Sequence, residues 1–251
     1  MVEKISIFCQ NSSVEIFLAG GLVNRFTVGT REIIYPQREI KTENGIKKRG
    51  GIPILFPNAD PITDPSDIFN LGQHGFARDK KWQVEVIEQN RCILSLASDS
   101  QTLKQYPFDF KLFLTIEVQK GILLYCLKII NPDKEKTLPV SPGLHPYFNL
   151  PVNQRNKFDL DLPGFDSGGF DWNSVLSFPE QKKVKMVFSN GEKIELEVSA
   201  QFKYWFVWAQ KDLDFVCVEP WVGKRNSLLK EKERLNVLPQ KEVELTLKIS
   251  S

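Results

Sequence analysis

The chain has few of the residues that carry metal and thiol chemistry. Its 251 residues include two histidines, His74 and His145, and four cysteines without a Cys-x-x-Cys pair. Each cysteine lies in or beside an apolar run, which is typical of small buried side chains in a reducing compartment, so we expect no disulfide. Because the histidines lie far apart and neither has an acidic partner at i+4, we expect no metal site either.

Long apolar runs and an excess of one charge are absent as well. No stretch approaches the roughly 18 apolar residues of a membrane-spanning helix, and the N-terminal residues lack the apolar segment of a secretory signal. The 33 basic and 31 acidic residues leave a formal net charge of +2. Bulk electrostatics therefore favours neither nucleic acid nor a membrane as a partner, and we expect a cytoplasmic protein.

The chain also lacks a serine nucleophile elbow, a Walker-type phosphate loop, internal repeats and any linker that would separate domains. Hydrophobic residues make up 41% of it and aromatic residues 11%, which is enough for a large core. All-β proteins of this length commonly form one domain. We therefore expect residues 1–251 to form a single domain.

Strand patterns dominate the sequence. Apolar runs flank a tight glycine-containing turn at three places, and each predicts a β-hairpin: Gly20-Gly21, Lys120-Gly121 and Asn190-Gly191. Alternating apolar residues at 243–249 predict a final half-buried strand, and the aromatic run at 204–208 predicts a strand buried on both faces. A short helix is expected at residues 228–235. The fold class is all-β, with two packed antiparallel sheets.

One stretch, residues 141–148, differs from the strands around it. It reads Ser-Pro-Gly-Leu-His-Pro-Tyr-Phe, and because proline fixes φ and lacks an N–H it cannot form a helix or the middle of a paired strand. Its histidine, His145, has an ordinary pKa near neutrality and is a candidate acid or base. The alternative is a structural histidine that satisfies backbone groups at a strand end.

Two other polar residues are candidates for the same site. Glu219 ends a buried run and is held extended by Pro220, which favours a carboxylate that points into a cleft; the alternative is a surface or salt-bridged glutamate. His74 lies before Gly75 in a long irregular segment and has the alternative role of a turn residue. An imidazole and a carboxylate on opposite sides of a substrate form an acid/base pair, but only the fold can bring these residues together.

Four motifs occur in the order found in the aldose 1-epimerase (galactose mutarotase-like) family, which the chain resembles from about residue 15 to its C-terminus. They are Arg49-Gly50-Gly51-Ile52-Pro53 with Phe56-Pro57, His74-Gly75-Phe76-Ala77-Arg78, Leu144-His145-Pro146-Tyr147-Phe148 and Val218-Glu219-Pro220-Trp221. The two arginine-bearing motifs are most similar to the hexose-6-phosphate epimerase branch. The resemblance implies a large antiparallel β-sandwich, the galactose mutarotase-like supersandwich, with an open cleft on its concave face.

The resemblance also implies the role of each site residue. His145 would be the general acid and Glu219 the general base, so that His145 is protonated and Glu219 ionised at neutral pH. Substrate binding would fall to His74, Arg49 and Arg78 and to an aspartate. The candidates for that aspartate are Asp166 and Asp171, and Lys224 or Arg225 either meets a phosphate or is solvated.

The implied function is interconversion of the α and β anomers of a hexose or hexose 6-phosphate by acid/base-catalysed ring opening. It needs no cofactor or metal, and the partner is a small-molecule sugar or sugar phosphate. The alternative is a non-catalytic carbohydrate-binding or regulatory protein on the same fold, although a pure binder needs no acid/base pair. A polysaccharide lyase would need a long basic groove, which the near-neutral charge does not support.

Overall fold

The computed structural model describes residues 3–42, 45–64 and 68–251, which form mainly antiparallel strands. In chain order the strands are β1 (Lys4–Cys9), β2 (Ser12–Phe17), β3 (Leu22–Val28), β4 (Arg31–Glu32), β5 (Arg38–Thr42), β6 (Gly45–Arg49), β7 (Ile54–Leu55), β8 (Gln83–Ile87), β9 (Arg91–Ala97), β10 (Lys111–Gln119), β11 (Ile122–Ile130), β12 (Leu138–Val140), β13 (Gly143–Leu144), β14 (Tyr147–Asn149), β15 (Asp159–Leu160), β16 (Val175–Pro179), β17 (Lys183–Val187), β18 (Lys193–Val198), β19 (Tyr204–Ala209), β20 (Phe215–Trp221), β21 (Leu235–Val237) and β22 (Glu242–Ser250).

Helical structure is limited to short pieces in the described residues. They are the four-residue helix α1 (Thr102–Gln105) and three 3₁₀ turns at Ala77–Asp79, Val152–Lys157 and Ser227–Leu229. The prediction of a helix at residues 228–235 is therefore wrong: a single 3₁₀ turn gives way to β21, which pairs with β12. No helix among the described residues is long and apolar enough to cross a bilayer.

The strands form three larger sheets. The largest has the order β15-β17-β18-β22-β11-β10-β9-β8, the second has the order β16-β19-β20-β13-β7 with β14 also paired to β20, and the third is β1-β2-β3-β4. The three predicted hairpins are confirmed as β2–β3, β10–β11 and β17–β18. The predicted final strand is β22, which lies inside the largest sheet between β18 and β11.

One continuous apolar cluster joins the three larger sheets. Alternate residues of β10, β11 and β22 are buried, so these strands present one face to the interior and one outward. Their inner side chains pack with residues of β2, β3, β19 and β20 in the same cluster. Burial of this apolar surface is the main source of stability.

The six-stranded sheet separates the core from an open cleft. On β19 and β20, Val207 and Val218 belong to the core cluster, whereas Phe206, Trp208 and Glu219 line the cleft on the opposite face. Both faces of the aromatic run are largely buried, as predicted. The face opposite the core is covered by aromatic side chains at the floor of the cleft rather than by a second layer of core.

Candidate active site

The two candidate catalytic residues lie opposite one another at an interruption in strand pairing: Glu219 belongs to β20, and His145 lies in the gap between the two strands that pair with it. The register between β13 and β20 continues unchanged between β14 and β20, although His145 and Pro146, which lie between β13 and β14, belong to neither strand. His145 therefore lies across from Glu219 at the position of a cross-strand neighbour. The segment between β13 and β14 thus places an imidazole next to a carboxylate of β20.

Backbone hydrogen bonds on the other side fix this break. The His145 N–H donates to the Pro53 carbonyl at 3.1 Å, and the Tyr147 N–H donates to the Gly51 carbonyl at 3.0 Å. Pro146 has no N–H to pair. The prediction that this segment is not the interior of a paired strand is confirmed for His145 and Pro146. It is wrong for the residues on either side, which form the short strands β13 and β14.

His145 and Glu219 form a close pair at the floor of the cleft. The distance from His145 Nε2 to Glu219 Oε1 is 3.4 Å, and the two side chains are only 9% and 3% exposed. The Trp221 indole N–H donates to the other carboxylate oxygen, Oε2, at 3.1 Å. One carboxylate oxygen is therefore fixed by the protein, and the other faces the imidazole.

Aromatic rings fix the plane of the His145 imidazole. Tyr147 stacks on it with ring centroids 4.7 Å apart and planes 12° from parallel. His74 and Trp208 meet it edge-on, at 5.4 Å and 6.0 Å between centroids. Since a buried ring packed on several sides has little rotational freedom, the direction of Nε2 is set before any ligand enters.

Burial sets the protonation of the pair. It lowers the pKa of the His145 imidazole well below its usual value of 6.5, and His74 acts in the same direction. It also raises the pKa of the Glu219 carboxyl well above 4.5, against a smaller opposing effect of the Trp221 hydrogen bond. Burial thus disfavours both charged forms in the free protein, which is the opposite direction from the protonated His145 and ionised Glu219 that the resemblance implies.

His74 is held as a neutral acceptor. Its backbone has a positive φ of 69°, and Nδ1 is 2.5 Å from the Ala59 carbonyl oxygen. Since a carbonyl only accepts, Nδ1 carries the proton and Nε2 keeps a free lone pair. Burial, assisted by Arg78, lowers the pKa of His74 to about 4, so the ring is uncharged at neutral pH.

The segment that carries His74 is anchored at its ends. The buried Asn58 side chain donates to the carbonyls of Asp60 and Gly72 at 2.8 Å and 3.1 Å, and the Ala59 N–H donates to the Ser141 carbonyl at 2.9 Å. The sequence predicts a functional loop here; residues 65–67 of it lie outside the described part. These bonds hold His74 against the segment that contains His145.

Two arginines lie in the wall of the cleft. The Arg49 guanidinium lies over the Trp208 ring at 5.2 Å, and Arg78 donates to the Gln73 carbonyl at 3.2 Å. They line a cleft of about 790 Å³ together with His74, His145, Glu219, Lys47 and Lys48. The structure thus brings five of the seven predicted site residues to one cavity with a cationic wall.

The two aspartates do not reach this cleft. Asp166 accepts from the Gly168 N–H at 2.9 Å and Asp171 accepts from the Asn173 N–H at 3.1 Å. Both side chains are exposed and neither lines the cavity. They are turn residues, which corrects their assignment as sugar ligands. Lys224 lies over the Tyr204 ring at 4.6 Å, and neither Lys224 nor Arg225 lines the cleft.

Other lining residues were not singled out from the sequence. Tyr147 and Phe206 lie on the cleft face with Trp221, and Cys217 is buried beneath them. Because side chains alternate along a strand, the run that ends in Glu219 places Cys217 and Trp221 on its face. This alternation could have identified Cys217 and Trp221 as neighbours of Glu219 from the sequence.

A sequence model described as aldose 1-epimerase matches residues 4–162 of the chain. Among curated proteins, LacX of Lactococcus lactis subsp. lactis is 25% identical over 120 residues, which are 44% of this chain and 40% of that protein. A Salmonella typhimurium protein named "Putative glucose-6-phosphate 1-epimerase" is 28% identical over 127 residues, which are 49% of this chain and 40% of that protein. The matched segment thus spans 40% of the length of each of these relatives.

Solved structures match over the whole chain. The Slr1438 protein of Synechocystis sp. PCC 6803 superposes with a TM-score of 0.85 at 27% identity, covering 100% of this chain and 96% of that one. A galactose mutarotase related enzyme from Lactobacillus acidophilus superposes with a TM-score of 0.81 at 19% identity, covering 99% and 97%. The predicted antiparallel β-sandwich is confirmed by this likeness.

Proposed function

This chain belongs to the aldose 1-epimerase family, and from that premise we propose that it is an isomerase that interconverts the α and β anomers of a hexose or hexose 6-phosphate. The observation that carries the proposal is the pair of His145 and Glu219, with 3.4 Å between Nε2 and Oε1. Both groups are buried at the floor of a cleft of about 790 Å³. A binding site alone does not need two buried titratable groups at this distance.

The proposed reaction moves two protons and breaks one bond. Glu219 accepts the proton of the anomeric hydroxyl while His145 donates a proton to the ring oxygen, and the bond between that oxygen and the anomeric carbon breaks. The product is the open-chain aldehyde. Rotation about the bond to the carbonyl carbon and reversal of both transfers close the ring on the other face and give the other anomer.

The burial of the pair favours the open-chain stage of this scheme. Ring opening converts protonated His145 and ionised Glu219 into neutral His145 and protonated Glu219. These are the protonation states that burial favours. In the closed-ring complex, hydrogen bonds from the sugar hydroxyl to Glu219 and from His145 to the ring oxygen stabilise the charged forms instead. The closed-ring state, with charged His145 and Glu219, and the open-chain state, with both groups neutral, therefore become more similar in free energy. This supports turnover in both directions.

The cationic wall supports a phosphorylated substrate. Arg49, Arg78, Lys47 and Lys48 all line the cleft, and guanidinium groups bind phosphate through paired N–H donors. One curated relative carries glucose 6-phosphate in its name. In this proposal the arginines bind the phosphate or the hydroxyls, and the free Nε2 of His74 accepts a hydrogen bond from a hydroxyl near the anomeric centre.

Polarimetry of freshly dissolved α-glucose and α-galactose, and NMR of α-glucose 6-phosphate, test the proposal. Wild type should accelerate the approach to anomeric equilibrium, and Glu219→Gln should lose about 10²–10⁴-fold of the rate. Glu231→Gln, which changes an exposed glutamate, is the matched control and should behave as wild type. If folded wild type leaves every sugar at the buffer rate, the isomerase proposal fails, and retained sugar binding would then favour a carbohydrate-binding protein.

Arg78→Gln separates the phosphorylated from the unphosphorylated substrate. If Arg78 meets the phosphate, the variant should lower kcat/KM for glucose 6-phosphate by at least about tenfold and change that for glucose much less, because a charge-assisted hydrogen bond contributes about 1.5–3 kcal/mol. An equal loss for both sugars would assign Arg78 to the hydroxyls. Circular dichroism of both proteins checks that the fold is unchanged.

A further inference from the structure

The proposed reaction leaves the thiol of Cys217, which is buried next to the acid/base pair, without a role. Cys217 is fully buried and lies two residues before Glu219 on the same face of β20. The ligand atoms of His145, Cys217 and Glu219 all lie within 4.8 Å of one another. The two central strands thus bring a nitrogen, a sulfur and an oxygen donor to one point of the cleft.

We propose that His145, Cys217 and Glu219 form a binding site for Zn²⁺, and that the bound ion inhibits the enzyme reversibly by occupying both groups of the acid/base pair. Imidazole nitrogen, thiolate sulfur and carboxylate oxygen are the three ligand types that zinc takes in proteins. The site is inhibitory because His145 and Glu219 cannot exchange protons with a sugar while they coordinate a metal. The inhibition rests on the proposed function, whereas the binding does not.

The distances fit tetrahedral coordination. Zinc bonds of about 2.0–2.2 Å at a tetrahedral angle hold a nitrogen and an oxygen ligand roughly 3.4 Å apart, and His145 Nε2 is 3.4 Å from Glu219 Oε1. A bond of about 2.3 Å to sulfur requires Cys217 Sγ at roughly 3.5 Å from each of them. Cys217 Sγ lies within 4.8 Å of both other ligand atoms, so the set is completed if the sulfur approaches them by at most about 1.3 Å, and the cleft leaves a fourth position for water.

The charges of the cleft also permit the complex. Zn²⁺ bound to one thiolate and one carboxylate has no net charge, so that Arg49 and Arg78 face a neutral group rather than a dication. Binding releases the thiol proton and the Glu219 proton to solvent, which balances the charge.

The spacing of these three residues in the sequence matches no metal-binding motif. Metal motifs are found from ligands a few residues apart on one element, whereas His145 comes from the break between β13 and β14 and the other two residues come from β20. The expectation of no metal site followed from the wide separation of the two histidines and from cysteines that form no Cys-x-x-Cys pair. The cysteine enters the cluster only through the strand pairing.

Cobalt(II) is the spectroscopic probe for the binding. Added to the reduced, metal-free protein, it should give tetrahedral d–d bands and a thiolate-to-cobalt charge-transfer band at one ion per chain, and Zn²⁺ should displace it. Cys217→Ser should abolish the charge-transfer band and weaken Zn²⁺ binding, measured by calorimetry, by about 100-fold or more. Cys126→Ser, which removes a half-buried thiol elsewhere, should bind as wild type.

The same titration can overturn the proposal. Absence of the charge-transfer band in wild type, or an equal band in folded Cys217→Ser, would do so. If Cys217→Ser fails to fold, Glu219→Gln decides: it keeps the thiol and should also lose affinity for Zn²⁺, and unchanged affinity contradicts the site.

The inhibition is tested by the ratio of anomer interconversion rates with and without Zn²⁺. The wild-type ratio should fall as the ion is added and recover with a chelator, while the ratio for Cys217→Ser should stay near one. Zinc that binds at Cys217 without slowing wild type overturns the inhibitory role. Metal-free wild type without any activity would instead count against the proposed function, and the cobalt spectrum would still decide the site.

Discussion

Three side chains at the cleft floor have pKa values shifted from those of their exposed counterparts, because each is buried. His145 and His74 have lowered pKa values, and Glu219 has a raised one. Each shift has burial as its largest cause, so that the neutral form is favoured in every case.

The two histidines provide a direct test of these charge states, since the chain has no others. Both imidazoles should be neutral at pH 7 in ¹H–¹⁵N NMR spectra. His74 should be the tautomer with its proton on Nδ1, because Nδ1 donates to the Ala59 carbonyl, and should become protonated near pH 4. A ring that titrates near its usual value of 6.5 in the folded protein would contradict the burial argument.

Trp221 is expected to tune Glu219. Its indole N–H donates to Oε2 and lowers the pKa of the carboxyl. In Trp221→Phe, which keeps the stacking on Phe206, that pKa should rise further and less Glu219 should be ionised at any given pH. The acid limb of the kcat/KM profile should therefore move to higher pH, with a loss of about tenfold at neutral pH.

A purely structural role for Trp221 would lower activity without moving the acid limb. The control is Trp172→Phe, which changes a tryptophan packed beside the core and away from the cleft. Its pH profile should superpose on that of wild type. A shift of equal size in both variants would contradict the assignment of Trp221 to Glu219.

Single residues with rigid neighbours were predictable from the sequence. His145 between prolines and Glu219 before Pro220 have few conformations open to them, so local chemistry made both residues candidates, and the family resemblance implied their roles. Asp166 and Asp171 were misplaced, because an aspartate among glycines fits a turn as well as a ligand site and only the fold distinguishes the two. The direction of the pKa shifts of the pair was not predicted either, since desolvation depends on tertiary packing.

At the scale of elements, a break in pairing creates the site. β13 and β14 continue one register along β20, and the chain between them contains His145. Glycine permits this close approach: a Cβ on Gly143 would lie 2.6 Å from Cδ1 of the Trp221 ring. The Trp221 ring is stacked on Phe206 with centroids 4.0 Å apart. Phe206 therefore blocks its movement away from an added methyl group.

Gly143→Ala should therefore lower activity, although Gly143 is not one of the proposed catalytic or binding residues. The added methyl group must displace Trp221 and its hydrogen bond to Glu219, which we expect to lower the anomer interconversion rate about tenfold and the free energy of unfolding by about 1–3 kcal/mol. Gly72→Ala is the matched control, because its Cβ would meet no atom within 4 Å and its φ is not positive. Equal effects of the two substitutions on rate would contradict the steric argument.

The longer elements were predictable and the shortest were not. The three hairpins follow from glycine turns between apolar runs, which are local signals. Strands such as β7 and β13 have two residues each and exist only because tertiary partners bond to them, so no local pattern identifies them. The expected helix at residues 228–235 failed for the same reason, because pairing between β12 and β21 overrides helix propensity.

At the scale of the molecule, one apolar cluster joins the three larger sheets, and that residues 1–251 form a single domain stays a prediction. Such a domain should unfold in one cooperative step. Circular dichroism of the strands and fluorescence of the five tryptophans should give coincident denaturation curves. Two separate transitions, or a stable fragment after limited proteolysis, would contradict a single domain.

The assembly of the site was beyond any local rule. Residues 49, 74, 145 and 219 meet only because β7, β13 and β20 lie side by side, and the sequence alone does not order strands in a sheet. The resemblance of four motifs to a family implied that these residues share one cleft, without giving the strand order. It did not supply the proximity of Cys217 to the pair, which is a property of this chain's own strand β20.

The central claim is that His145 and Glu219 act together on the anomeric carbon. Two-dimensional exchange NMR of glucose 6-phosphate at anomeric equilibrium measures the interconversion rate directly, for wild type, Glu219→Gln, His145→Asn and the double variant. The account predicts exchange peaks with wild type, a loss of about 10²–10⁴-fold in each single variant, and little further loss in the double variant, because both groups serve one step. Exchange no faster than in buffer with wild type, or losses that multiply in the double variant, would contradict it.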